Sequence, residues 1–201
     1  AWACQVMRFR VKPYSSAITA RSANCTSTTR RRSLPCPDDK VNRLFIADQP
    51  NKLWVSDFTY VPTWSGTVYV AFVIDVFARR IVGWRASTSM KTQFVLDALD
   101  QAIWQRKTPD NKSLIHHSDR GSQYLSIKYT ERLAEAEIDL SVGTVGDAYD
   151  NALAECVIGL FKTEVINQIG PWKSMREVEW ETLKWPYSDA SIAYRLTDRL
   201  V

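Results

Sequence analysis

Apolar and polar residues alternate from Leu53 to Val61, LWVSDFTYV, with Trp54, Ser56, Phe58 and Tyr60 on one face and Leu53, Val55, Asp57 and Thr59 on the other. That two-residue period predicts a β-strand. Asp57 falls mid-strand between apolar neighbours, where a charge is costly without a cation or a partner. Trp64-Ser65-Gly66 reads as a turn; residues 67–76 are apolar almost throughout and predict a central strand, and residues 81–86 predict a third. The first half is therefore an antiparallel meander. From Lys91 to Arg106 the period lengthens: Val95, Ala98, Leu99, Ala102 and Ile103 recur at helical spacing, and Pro109 and Asn111 close the helix. A short buried strand at 114–117 runs out into Asp119, with Gly121 and Ser122 supplying the turn. Ser126 is placed to cap a helix reaching about 137, with Tyr129, Leu133 and Ala136 on its buried side. Residues 138–145 predict a fifth strand. Asp150 is placed to cap a helix through Ile166, whose buried stripe is Leu153, Val157, Leu160 and Phe161. Gly170 and Pro171 break it, and Ser174 with Glu177 has capping-box spacing for a last helix to about 185. Three antiparallel strands followed by alternating helix and strand specify an α/β fold, a mixed five-stranded sheet with flanking helices.

Composition narrows the class. At 201 residues and 45% hydrophobic, the chain can bury one sizeable core. Periodicity is absent before residue 35 and dissolves after 185, which sets a basic, unstructured segment at 1–37, a folded unit at 38–185 and a tail at 186–201. The longest apolar run, residues 68–74, is too short to span a bilayer, and no signal-like apolar stretch opens the chain. Cys4, Cys25, Cys36 and Cys156 form no CxxC pair, and the two histidines are adjacent. That argues against a structural zinc or a disulfide framework and for reduced thiols in a cytosol. The net charge of +4 is uneven: residues 1–37 hold seven Lys and Arg and no acid, leaving −3 for the rest. A nucleic-acid arm and an organelle transit peptide share that composition, but a solvated tail is its simplest reading.

Asp57 on the first strand, Asp119 after the fourth and Glu155 one turn into the late helix fall where this architecture lets them converge. Three gathered carboxylates repel one another and resist ionisation. A divalent cation reverses that cost, and hard oxygen donors without His or Cys suit Mg²⁺ or Mn²⁺. Two such ions about 4 Å apart can activate an attacking hydroxyl and stabilise the leaving oxygen of a phosphodiester. Asp75, Asp147 and Asp150 read as turn and cap residues instead. His116 and His117 point oppositely and read as strand-end packing and polar support for Asp119.

The stretches WVSDFTYV, DVFARRIVGW, LIHHSDRGSQY and GDAYDNALAEC resemble the core of insertion-sequence transposases of the retroviral-integrase superfamily, of the OrfB type. That family carries an Asp–Asp–Glu triad with 35 residues between the second Asp and the Glu, and 35 residues separate Asp119 from Glu155. The resemblance implies a ribonuclease-H-like fold and Mg²⁺-dependent strand transfer, with Mn²⁺ as a substitute, on a metal pair held by Asp57, Asp119 and Glu155. It further implies DNA as partner (element ends and target), a helix-turn-helix protein from the preceding reading frame, a homo-oligomer in the synaptic complex and a bacterial cytoplasmic location. Lys162, two turns after Glu155, stands where the family has a lysine on the element's end.

Asn151, Glu155, Gly159 and Lys162 share one helical face by spacing, so Asn151 joins Lys162 as a candidate DNA contact; Arg120, next to Asp119, is a further candidate. A glycine in a helix interior costs about 1 kcal/mol against alanine, which points to a bulky neighbour such as DNA backbone at Gly159. The resemblance is expected to run from about 35 to 185. Residues 1–34 and 186–201 lack the family's flanking segments, which predicts weak DNA binding and poor joining by this chain. The rival functions are a ribonuclease-H-like nuclease, which hydrolyses without joining, and an inactive relic or DNA-binding module.

Overall fold

A computed structural model of the chain describes residues 39–41, 44–105, 113–119, 121–143 and 151–187. All belong to the second of the two units into which the chain divides, Pro35–Val201. The basic segment 1–37, the tail beyond 187, and Pro109, Asn111, Arg120, Asp147 and Asp150 lie outside the described residues.

The alternation at 53–61 becomes β1 (Leu53–Thr63), which pairs antiparallel with β2 (Gly66–Asp75), and β2 pairs antiparallel with β3 (Arg80–Ser87). After α1 (Thr92–Gln105), the chain returns as β4 (Ile115–Ser118), parallel to β1. After α2 (Ile127–Glu135) it returns again as β5 (Asp139–Val142), parallel to β4. The sheet order is β3-β2-β1-β4-β5. Mixed sheet, strand count and element order are as the apolar pattern predicts, with ends moved by one to three residues.

The two faces of the sheet hold separate cores. Trp54, Ala71, Val73 and Val82 pack against Phe94, Val95, Leu99 and Ala102 of α1 and Tyr129 and Leu133 of α2. Leu53, Val55, Val70, Phe72 and Ile74 pack against α3 (Ala152–Phe161) through Leu153, Val157, Leu160 and Phe161. Val178 of α5 (Met175–Lys184) and Trp185 close that side. Ser126 caps α2 as expected, accepting from Tyr129 N–H. The long late helix differs from expectation: after Phe161 it widens into a π-helical segment, Lys162–Ile166, and resumes as α4, Asn167–Ile169. The capping box also differs. Ser174 makes no side-chain cap hydrogen bond, and Glu177 accepts from Lys173 N–H at 2.8 Å, one residue earlier than the motif requires. Among the described residues no helix is long and apolar enough to cross a membrane.

One close approach fixes how α1 lies on the sheet. A Cβ at Gly83 of β3 would strike the Ala98 carbonyl and come within 2.9 Å of the Ala102 Cβ and backbone N. Only a residue without a side chain lets helix and strand meet this closely. Beside it, Trp84 N–H of β3 donates to the Gln101 side chain of α1 at 2.8 Å. Gly83→Ala should therefore destabilise the fold by about 1–3 kcal/mol, the usual scale of overpacking. Urea unfolding measures this, and an unchanged midpoint would mean that α1 is free to move away.

Candidate active site at the end of the parallel strand pair

β1 and β4 pair over only four residues, from Leu53↔Ile115 to Ser56↔Ser118. One step further on each strand stands an aspartate, Asp57 on β1 and Asp119 on the loop leaving β4. Side-chain alternation puts Asp57 on the face of Leu53 and Val55, which is the face that α3 covers. Glu155 lies in the first turn of α3, where the unpaired N–H groups of the helix start favour a negative charge. The sheet register thus supplies two carboxylates and the helix start a third.

Burial raises all three, and neighbouring carboxylate charge adds to the rise at Asp57 and Glu155. Asp57 is pushed up to about 7, chiefly by burial and further by the Asp119 and Glu155 charges; the Phe58 N–H and the Lys162 ammonium act against this. Asp119 keeps exposed surface, yet burial of its carboxyl raises it above the ordinary range, opposed by the Gly121 N–H and by His117. Glu155 is raised by partial burial and then by Asp119. One oxygen of each aspartate is held locally: Asp57 Oδ1 accepts from Phe58 N–H at 2.7 Å, and Asp119 Oδ1 from Gly121 N–H at 3.1 Å. Hard oxygen donors that repel one another suit a divalent cation in chemistry. Among the described residues no three His, Cys, Asp or Glu side chains close around one point. The triad residues are an electrostatic cluster and not a closed coordination shell.

The strands behind the aspartates are held by buried polar contacts. His116 Nε2 lies 2.8 Å from Ser56 Oγ and 3.0 Å from the Tyr129 hydroxyl, and burial lowers its pKa to about 3, so the ring is neutral. His117 points to the other face, with Nδ1 2.9 Å from Ser141 Oγ and its ring edge-on to Phe45. Both histidines are buried, as packing and support residues should be. Gly121 is more than a turn residue. A Cβ there would come within 3.0 Å of Asp119 Oδ1 and 3.3 Å of the Tyr124 ring, so glycine lets its N–H reach the carboxylate. Its place two residues after Asp119 was a sequence signal for that contact.

The exposed helical face is only partly as expected. Glu155 and Lys162 are exposed, and nothing lies within 4 Å of the position a Gly159 Cβ would take. Asn151 does not share that face. It is buried, and its Nδ2 donates to the Ser56 carbonyl at 3.0 Å, tying the start of α3 to β1 beside Asp57. Its backbone, at φ −139° and ψ 33°, is not yet helical, so the helical count does not apply to it. The expectation of a DNA contact at Asn151 is corrected to an anchoring role. Lys162 lies near enough to Asp57 for its charge to be felt there, and its Nζ stands 5.7 Å from the centroid of the Tyr60 ring.

Comparison with known proteins gives this geometry a family. The profile of the integrase core domain matches residues 47–148, across Asp57 and Asp119 and short of α3. The chain is 56% identical over 158 residues to a transposase for insertion sequence element IS629 of Shigella sonnei, covering 79% of this chain and 52% of that protein. It is 51% identical over 185 residues to a putative transposase for IS986/IS6110 of Mycobacterium tuberculosis, covering 90% of this chain and 66% of that protein. The chain thus spans between half and two-thirds of these relatives. Residues 38–185 make up less than three-quarters of the chain, so the longer alignment enters the terminal segments. The expectation that the likeness stops near 35 and 185 is corrected accordingly.

Among solved structures, the simian T-cell lymphotropic virus intasome, in complex with a PP2A regulatory subunit, matches with a TM-score of 0.60 at 14% identity, covering 80% of this chain and 56% of that one. The HTLV-2 integrase catalytic core with magnesium matches with a TM-score of 0.52 at 17% identity, covering 69% of this chain and 87% of that one. At these identities the likeness speaks for the fold alone, which is ribonuclease-H-like. With the profile covering half of its length and curated relatives above 50% identity, the chain belongs to the integrase core domain family, on its insertion-sequence transposase branch.

Proposed function

We propose that this chain is the catalytic core of a transposase that cuts and joins phosphodiester bonds at the DNA ends of an insertion sequence. The observation that carries the reading is the meeting of Asp57 and Asp119 where β1 and β4 part, with Glu155 coupled to both by charge. Asp57, Asp119 and Glu155 are the metal-holding, catalytic residues, and Mg²⁺ is the natural ion, replaceable by Mn²⁺; the magnesium of the HTLV-2 core supports this choice. Such an ion, when bound, supplies Lewis acidity to the attacking and leaving oxygens of the phosphodiester. Asp57 and Asp119 hold the reacting phosphate's site at the sheet edge, and Glu155 faces them from α3. Lys162 offers a positive charge to a neighbouring phosphate, and Arg120, adjacent to Asp119, is a second candidate contact. Residues 38–185 are the catalytic unit, and the acid-free segment 1–37 adds sequence-independent DNA affinity. A helix-turn-helix partner and assembly of several copies around the element ends complete the reading, in the bacterial cytoplasm.

Strand transfer on a labelled element-end duplex tests the chemistry. Asp57→Asn, Asp119→Asn and Glu155→Gln should each lower Mg²⁺- or Mn²⁺-dependent joining by on the order of 10²–10³-fold or more, the scale of losing one charge stabiliser of a transition state. Near-normal joining by Glu155→Gln removes that residue from the site. Hydrolysis without joining makes the chain a nuclease.

The raised carboxyl of Asp57 has a consequence for stability. The metal-free fold binds a proton there more tightly than the unfolded chain, so this contribution is complete below about pH 4 and is lost as pH rises towards about 7. Divalent metal competes with that proton, so its stabilising effect should grow over the same interval. Asp57→Asn should leave the metal-free protein more stable at pH 8, by on the order of 2 kcal/mol, and erase the Mg²⁺-induced rise in Tm. A variant that still gained Tm from Mg²⁺ would exclude Asp57 as a ligand.

Lys162→Ala should weaken binding to all DNA sequences alike and reduce the slope of log K against log salt by about 1. Fluorescence anisotropy across a salt series reads the slope, and an unchanged value with intact folding makes Lys162 a solvated side chain.

A further inference from the structure

Tyr60 lies three residues beyond Asp57 on β1 and is 65% exposed, an unusual amount for a large aromatic side chain in the body of a sheet. β4 has already parted from β1 at Ser56, so among the described residues no strand pairs with this stretch of β1 on that edge. The Lys162 ammonium stands 5.7 Å from the centroid of the Tyr60 ring, inside the range at which the ring's negative face attracts a cation. Among the described residues no carboxylate lies within ion-pair distance of Lys162.

Lys162 opens the π-helical segment, and such a widening turns the following side chains relative to an uninterrupted α-helix; these segments are frequent at functional sites. A lysine carries four rotatable bonds and about 2 kcal/mol of rotamer entropy, so a free lysine meets a phosphate only after losing that freedom. A ring beneath the ammonium removes part of the loss in advance. One turn earlier the surface is bare, since Gly159 leaves open space between Glu155 and Lys162.

We infer that Tyr60 is a positioning residue whose ring seats the Lys162 ammonium beside the carboxylate cluster, presenting it to a DNA phosphate. This rests on the reading of Lys162 as a phosphate contact. The ring carries the effect and the hydroxyl does not, because the attraction comes from the π-face. Phenylalanine should therefore replace Tyr60 and leucine should not.

The test is a double-mutant cycle on the full chain, read by fluorescence anisotropy with a labelled DNA duplex at one salt concentration, with the parent and the Lys162→Ala arm repeated across a salt series. Thermal unfolding runs alongside to confirm that each variant is folded. Tyr60→Leu should weaken binding about two- to five-fold, the range of one partly exposed cation–π contact, and Tyr60→Phe should stay close to the parent. In a Lys162→Ala background, Tyr60→Leu should change nothing further. No loss with Tyr60→Leu, while Lys162→Ala does lose affinity, overturns the inference alone. So does a loss that persists without Lys162, since Tyr60 would then touch DNA itself. An unchanged salt slope in the Lys162→Ala arm overturns the reading of the lysine, and the inference with it.

Discussion

The parallel register between β1 and β4 is the constraint on which the site depends. Four residue pairs bring the two strands together, and the next position on each is an aspartate. A slip of one residue would turn one carboxylate to the opposite face of the sheet. The register is held by side chains that carry no chemistry of their own. Trp54 and His116 stand opposite one another, Ser56 and His116 share a hydrogen bond, and Tyr129 reaches the same ring from α2. On the other face, Asn151 ties the start of α3 to the Ser56 carbonyl, which fixes Glu155 relative to Asp57. Strand pairing, helix start and carboxylate geometry are one problem.

Placing three acids together works against folding, and the fold tolerates it because each face of the sheet carries a large apolar core. Two separate cores hold β1 and β2 so firmly that the half-buried Asp57 carboxyl is accommodated with its pKa raised, not expelled. Local conflict of this kind inside an otherwise consistent pattern is what marks a functional site. Asp75 shows the contrast. It is fully buried, and its two oxygens accept from Asn51 and Ala78 N–H groups, so it stitches two turns together.

Much of this was legible from spacing alone. The alternation at 53–61, the helical stripe at 95–103 and the Ser126 cap mapped onto β1, α1 and α2, because each is a local pattern that tertiary contacts reinforce. Asp57 announced itself as a charge among strand apolars. What escaped the sequence depended on where backbone departs from its ideal period. Asn151 was counted onto the exposed face as if already helical, whereas its non-helical backbone turns it inward. The π-helical segment has no compositional signature, and Ser174 in extended conformation leaves the capping box half made. Gly83 reads as an ordinary strand glycine until the Ala98 carbonyl is found above it.

The central claim is that Asp57 and Asp119 share a divalent cation at the end of the β1–β4 pairing. Anomalous diffraction from crystals of the chain grown with Mn²⁺ tests it most directly. A peak is expected between the two aspartate carboxylates and within reach of Glu155, and it should vanish in crystals of Asp119→Asn. A peak bound elsewhere, or none at Mn²⁺ concentrations that support joining, would contradict it.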